Sequence, residues 1–304
     1  MRVLIVGCGY VGLPLGLELV GQGHEVFGLR RSRARESELV AGGLKPLAAD
    51  ITRPEDLAKL PSPFDWVVNT VSSTKGGAEE YREVYLHGTR NLLEWLRAAP
   101  PKKFVYTSST SVYGQNDGSL VKETSPTEPA SVTSRLLVEA EKLLLQAAQA
   151  RQFPALILRV AGIYGPGRGH LFQQYLRQEA KIAGQGERLI NMVHRDDLVG
   201  AIVAALKQGR PGEIYNVVDD EPVAQLHFFR WLSETLGKEM PGFAAETEKA
   251  DRKRGRTNKR VSNRKLKREL GYQFKYPTFR QGYAAEIQRL VRGGLLKVAS
   301  EVKN

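Results

Sequence analysis

Val3-Leu4-Ile5-Val6-Gly7-Cys8-Gly9-Tyr10-Val11-Gly12-Leu13-Pro14-Leu15 opens the chain with an apolar strand, a glycine turn and the start of a helix. Val3 to Val6 read as a buried strand, and Leu13 to Val20 carry a helical apolar pattern. Each glycine of such a strand–turn–helix has its own task. Gly7 permits the tight turn, Gly9 lets the backbone approach a pyrophosphate, and Gly12 lets the helix pack close to the strand. The helix start offers N–H groups to phosphate. Tyr10 and Val11 therefore join the three glycines as candidate dinucleotide contacts.

Glu25–Leu29 reads as a second strand and runs into Arg30-Arg31-Ser32-Arg33. An Asp or Glu at that point would bond the ribose 2′-hydroxyl of NAD. Arginine forks beside the Ser32 hydroxyl suit a 2′-phosphate instead. The expectation from Arg30, Arg31 and Ser32 is NADP, with NAD as the alternative.

Further strands are predicted at Phe64–Val71, Lys103–Thr107 and Ala155–Val160, separated by helical patterns at Glu79–Ala98 and Thr133–Ala150. This alternation predicts an α/β fold, a Rossmann-type doubly wound parallel sheet with ligands at the carboxyl ends of its strands. Thr70 and Val71 fall at such an end. At about 150 residues per domain, 304 residues suggest two domains or one large α/β unit. The reading is a dinucleotide-binding domain over 1–165 and a smaller substrate-binding part over 166–304. Helices are predicted there at Phe172–Ala183, Arg195–Lys207 and Leu226–Leu236, and a short strand at Glu213–Val218. Several of these segments are expected to return to the main sheet.

The hydrophobic content of 41% supports a sizeable core and argues against wholesale disorder. A single cysteine, Cys8, excludes an intrachain disulfide, and scattered histidines without an HExxH predict no metal. The start of the chain lacks the order of a secretory signal, and no run approaches the roughly 18 apolar residues of a membrane span. A cytoplasmic protein is expected. The net charge of +12 favours anionic ligands.

The opening turn resembles that of UDP-sugar dehydrogenases, but their nucleophilic cysteine far downstream has no counterpart here. The chain as a whole resembles the extended short-chain dehydrogenase/reductases, in their NAD-dependent epimerase/dehydratase branch. Asp50-Ile51 resembles the adenine-contacting acidic position, and His87-Gly88-Thr89-Arg90-Asn91-Leu92-Leu93 the central-helix motif. Ser108-Ser109-Thr110-Ser111-Val112-Tyr113-Gly114 resembles the segment carrying the catalytic hydroxyl, by position Ser109. Arg159-Val160-Ala161-Gly162-Ile163-Tyr164-Gly165-Pro166-Gly167 resembles the loop over the nicotinamide, and so marks Ala161. His194-Arg195-Asp196-Asp197 and Tyr215-Asn216-Val217 resemble two later signatures.

The family's Tyr-x-x-x-Lys pair is absent. Ser131 and Arg135 fall on its positions, no Tyr or Lys occurs from Glu123 to Glu141, and Tyr85 stands where the family usually has Asn. Serine is a far weaker acid than a phenol, and arginine does not cycle a proton. The chain thus resembles an atypical member. By position Arg135 would anchor the nicotinamide ribose and Ser109 would polarise the substrate oxygen. Tyr113, Tyr164 and Tyr85 are the nearest candidate proton donors.

What the resemblance implies is an oxidoreductase or epimerase that transfers hydride to or from a carbonyl or sugar-like alcohol. Thr110 and Ser111 occupy positions that are acidic in the dehydratases, which disfavours sugar dehydration. The alternative is a catalytically silent dinucleotide-binding regulatory or structural protein. The expected partner is a small molecule, with an anionic one among the options, and family members often dimerise through the two central helices. The basic run from Arg252 to Arg268 has no interleaved aromatics, so nucleic acid is not the expected partner. Its Arg260–Leu266 segment resembles a stretch that closes over the ligand, and the basic run is read as lining the mouth of the site, with an ordinary solvated face as the equal alternative. His194 is read as a ligand contact or, more commonly for its type, a packed or capping histidine.

Overall fold

Long β-branched runs buried on both faces produce parallel strands, and seven of them form the central sheet of this computed structural model. They are β1 (Arg2–Val6), β2 (Glu25–Arg30), β3 (Lys45–Ala48), β4 (Trp66–Asn69), β5 (Lys103–Ser109), β6 (Ala155–Val160) and β7 (Ile214–Val217). Their order is β7-β6-β5-β4-β1-β2-β3, with every neighbouring pair parallel. The structure describes residues 1–74, 76–245 and 257–296. The order reverses between β1 and β4, which opens a crevice at the carboxyl ends of those two strands.

Five helices matter to the site: α1 (Gly12–Gly21), α2 (Gly88–Trp95), α3 (Val132–Arg151), α4 (Arg195–Gln208) and α5 (Phe279–Arg292). Leu15 and Leu19 of α1 share one face of the sheet with Leu198, Ile202 and Leu206 of α4. Leu92 of α2 packs on the other face with Ala140 and Leu144 of α3. A third cluster, with Phe172, Phe228, Phe229, Phe279 and Tyr283, forms the smaller C-terminal part. Both α4 and β7 follow residue 165, yet both belong to the sheet layers; β7 pairs with β6 from Ile214↔Ile157 to Val217↔Val160.

Two predicted helices differ from what forms. The segment expected at Phe172–Ala183 is helical only over His170–Leu176. Gln178 adopts a left-handed φ of 59°, and its N–H donates to Tyr175 O instead of continuing the helix. The segment expected at Glu79–Ala98 is divided: Ala78–Tyr81 is α-helical, Arg82–His87 is a π-helical turn, and α2 follows. At the end of that turn a Cβ on Gly88 would lie 2.6 Å from Ile51 Cδ1, so glycine lets the helix approach the loop after β3 without displacing the Ile51 side chain.

A buried ion pair joins α3 to β6. Arg159 donates from Nε and Nη2 to the Glu141 carboxylate, the shortest contact being 2.7 Å. Their side chains are 5% and 2% exposed. Ser108 Oγ donates to Glu141 Oε1 at 2.6 Å, and Arg159 Nη1 donates to Tyr113 Oη at 2.9 Å. Tyr113 Oη in turn donates to Asn216 Oδ1 at 2.8 Å. One network therefore ties the middle of α3 to the carboxyl-terminal halves of β5, β6 and β7. Removing one member of such a pair leaves a buried, uncompensated charge. Glu141→Ala is expected to lower unfolding free energy by about 3–5 kcal/mol, measured by urea denaturation; a loss below about 1 kcal/mol would show that solvent or a neighbour compensates.

Candidate functional site

The glycine turn is fixed from several sides. Gly7 has φ 85°, and a Cβ there would lie 2.7 Å from Val71 N. A Cβ on Gly12 would lie 2.7 Å from Gly7 O. Thr70 Oγ1 donates to Gly7 O at 2.9 Å, while the N–H groups of Gly7 and Cys8 donate to Leu29 O. Gly9 is different: the nearest atom to its would-be Cβ is 3.9 Å away. Its open side faces a cleft of about 710 Å³.

Gly7, Gly9, Tyr10 and Val11 line that cleft, with Arg30, Arg31, Ser32, Asp50, Ile51, Thr70 and Val71. Ser109, Ala161, Tyr85 and Tyr164 line the same cleft. Gly12 lies beneath the turn rather than on the surface of the cleft. The space left beside Gly9, at a helix start, fits a dinucleotide diphosphate. Gly7, Gly9, Tyr10 and Val11 would hold that group, and Asp50 and Ile51 would border its adenosine end.

The arginine run is not a free phosphate fork. Arg30 donates to Cys8 O at 2.6 Å and to Arg35 O at 2.9 Å, and pairs with Glu38 at 3.3 Å. Arg31 donates to Thr74 Oγ1, and Ser32 Oγ accepts from Ala34 N–H. Asp50 Oδ1 accepts from Thr52 N–H and hydroxyl, shaping the turn after β3.

Two residues expected in the chemistry lie elsewhere. Tyr113 is fully buried in the Glu141–Arg159 network and does not line the cleft. Burial raises its hydroxyl pKa above the usual phenol range despite the neighbouring Arg159. Arg135 does not line the cleft either; its guanidinium donates to Ala130 O at 2.6 Å. Ser131 caps α3, its Oγ accepting from Ser134 N–H at 3.2 Å. The Tyr-x-x-x-Lys positions thus serve the start of a helix.

Ser109 does line the cleft, and its Oγ accepts from Ser111 N–H at 3.2 Å. Tyr85 projects from the π-helical turn, and its Oη accepts from Ser73 N–H at 3.1 Å. Glu80 steadies the loop that supplies this amide. It accepts from Ser73 Oγ at 2.6 Å, Gly76 N–H at 2.7 Å and Thr74 N–H at 3.2 Å. These bonds, led by Ser73, bring the Glu80 pKa down to about 2. Tyr85 and its support had a sequence signal, the Tyr in place of Asn. The buried network had none.

The later motifs are structural. His194 Nδ1 accepts from Asp196 N–H and caps α4, and Asp197 accepts from Tyr272 Oη, Lys275 N–H and Tyr276 N–H. The described residues of the basic run, 257–268, do not line the cleft, contrary to the expectation for Arg260–Leu266. Lys259 donates to Tyr113 O, Arg260 to Gly118 O, and Lys265 to Glu213, so these cations hold secondary structure together. Arg252, Lys253, Arg254 and Arg256 lie outside the described residues.

Tyr164 lines the cleft, yet its hydroxyl is packed against Gly282 of α5 with no hydrogen-bond partner among the described residues. Burial drives its pKa far up. Asp219 adds to that effect and is itself buried. Its Oδ1 accepts from Glu221 N–H, its Oδ2 has no partner among the described residues, and burial pushes its pKa up to about 8. Folded Asp219 therefore keeps a proton that the unfolded chain releases above about pH 4. Stability from this group falls as pH rises from about 4 to about 8. Asp219→Asn is expected to raise unfolding free energy by roughly 2–4 kcal/mol at pH 7 and to have little effect at pH 3.5. Denaturant melts at the two pH values check it, and an equal effect at both would contradict the assigned titration.

Comparison with known proteins places this geometry. The profile of the NAD dependent epimerase/dehydratase family matches residues 3–217. Protein YeeZ of Escherichia coli K12 is 31% identical over 286 residues, covering 91% of this chain and 96% of YeeZ. The structure of a putative NAD-dependent epimerase/dehydratase from Methylobacillus flagellatus is 34% identical, with a TM-score of 0.76 over 95% of this chain and 98% of that one. The fold is also that of DesIV, a dTDP-glucose 4,6-dehydratase from Streptomyces venezuelae with NAD and TYD bound. That likeness has a TM-score of 0.83 at 24% identity, over 96% of this chain and 97% of DesIV. The expectation of NADP is corrected: the family is defined by NAD, and Arg30, Arg31 and Ser32 already hold local partners. From residue 3 to residue 217 the chain belongs to the NAD-dependent epimerase/dehydratase family of enzymes.

Proposed function

We propose that this chain is an atypical short-chain NAD-dependent oxidoreductase or epimerase acting on a carbonyl or sugar-like alcohol. The observation that carries the reading is the cleft, in which the glycine turn and the pair Ser109 and Tyr85 line one continuous space. When bound, the nicotinamide supplies or accepts the hydride. The chain's own residues do the rest.

Ser109 Oγ accepts from Ser111 N–H, so its own proton is left to donate to the substrate oxygen. Of the three candidate proton donors, Tyr85 is in the better position to move a proton, since Tyr113 lies outside the cleft and Tyr164 is packed on Gly282. In reduction Tyr85 gives its proton to the carbonyl oxygen, and the Ser73 N–H remains to hold the phenolate. In oxidation the same proton returns. Val84 and Leu137 add apolar side chains to the cleft wall. A second reading, dinucleotide binding without turnover, is favoured by the use of Ser131 and Arg135 in shaping the start of α3.

Fluorescence titration with NADH, followed by turnover assays on sugars, ketones and aldehydes, separates the two. Tight NADH binding with no turnover across the panel would favour the silent protein. Gly9→Val is expected to leave the melting temperature nearly unchanged while weakening NADH at least about tenfold, because its side chain enters the cleft and not the fold. Tyr85→Phe is expected to lower kcat by about a hundredfold or more, with the NADH Kd within about twofold of wild type. Full activity in that variant would remove Tyr85 from the mechanism.

A further inference from the structure

Among the described residues, four arginines line the cleft: Arg30, Arg31, Arg35 and Arg168. Arg30 and Arg35 pair with Glu38, and Arg31 donates to Thr74. Arg168 differs from them. Its guanidinium has no ion pair and no hydrogen bond among the described residues, and it lies over the Tyr10 ring, 4.3 Å from the centroid. Tyr10 follows Gly9 directly in the glycine turn. Arg195 also approaches the Tyr10 ring, at 5.4 Å, but it is held by Asp196 through two bonds of 3.0 and 2.9 Å.

The backbone around Arg168 is built to present it. Gly165, Gly167 and Gly169 have φ of 133°, 70° and 129°, values that side chains resist. Gly165 and Arg168 exchange backbone hydrogen bonds of 3.3 and 2.9 Å, closing a tight turn. The turn rests on fixed groups. A Cβ on Gly165 would lie 3.0 Å from His194 Nε2, and one on Gly169 would lie 2.8 Å from Tyr283 Oη. Gly167 N–H donates to Glu286 Oε1 at 3.3 Å, and Glu286 is 2% exposed and paired with Arg289. The residues of the glycine turn itself carry no cationic side chain, and a diphosphate brings two negative charges.

We propose that Arg168 is a binding residue for the dinucleotide diphosphate, reaching from the C-terminal part across to the glycine turn and held ready by its stacking on Tyr10. The inference rests on the reading of the cleft as a dinucleotide site. A stacked guanidinium keeps its planar fork unobstructed, and two phosphate oxygens match that fork. Binding would join the 165–169 turn to the 7–12 turn through the ligand, so that the C-terminal part closes on the cofactor.

The test is calorimetric titration with NADH and with ADP-ribose, which keeps the diphosphate and lacks the nicotinamide, at two salt concentrations. Arg168→Gln is expected to weaken both ligands about tenfold and to flatten the salt dependence of binding, with the melting temperature unchanged because the side chain is exposed. Tyr10→Phe keeps the ring and is expected to bind like wild type; Tyr10→Ala is expected to lose part of the affinity. Wild-type affinity of Arg168→Gln for both ligands overturns the assignment of Arg168 alone. Failure of the wild-type protein to bind either ligand overturns the reading of the cleft, and this inference with it.

Discussion

The bidentate pair between Glu141 and Arg159 is the constraint on which the geometry of the cleft depends. Two charges removed from water are costly unless their remaining hydrogen-bonding groups are satisfied. Here Ser108, Tyr113 and the carbonyl of Glu123 complete the set. Because the partners lie on α3, β5 and β6, the requirement to satisfy them fixes the relative height of those elements. Ser108 is also a lining residue, and Ser109 follows it. The placement of a candidate reacting hydroxyl is thus inherited from an ion pair that never meets the ligand.

Much of the fold was legible because buried parallel strands and their crossover helices repeat a simple pattern. Val3–Val6 and Ala155–Val160 could hardly be read otherwise, and the glycine turn between β1 and α1 identified the cofactor end of the crevice. What was illegible depends on tertiary contacts. Gln178 ends a helix that its apolar periodicity would continue, and the π-helical turn at Arg82–His87 has no periodic signature of its own. Arg30 shows the same limit in electrostatics. A sequence shows the charge but not Glu38 and the Cys8 carbonyl that engage it.

The candidate catalytic residues were legible only in part. Ser109 was chosen by resemblance and lines the cleft, as does the cofactor-contact candidate Ala161, while Tyr113 and Arg135 are engaged in structural bonds outside it. The reason is local. Once Ser131 becomes the cap of α3, the residue four positions on points its guanidinium back at the carbonyls preceding the helix. Loss of the phenol and the redirection of the cation are then one change in helix geometry rather than two independent substitutions. Tyr85, on an irregular turn and bonded to a loop that Glu80 steadies, shows the opposite case, in which irregular backbone brings a side chain to the cleft.

The last strand of the sheet has a consequence for how the protein is made. β7 pairs with the outer side of β6 from Ile157 to Val160, yet about fifty residues lie between them in the chain. Translation at roughly 5–20 residues per second leaves the β6 edge without its neighbour for several seconds after it emerges. During that interval an apolar strand with open amide and carbonyl groups is exposed to other nascent chains. The sheet is completed from the second half of the chain, and a chain truncated before Ile214 would carry a permanently open, aggregation-prone edge.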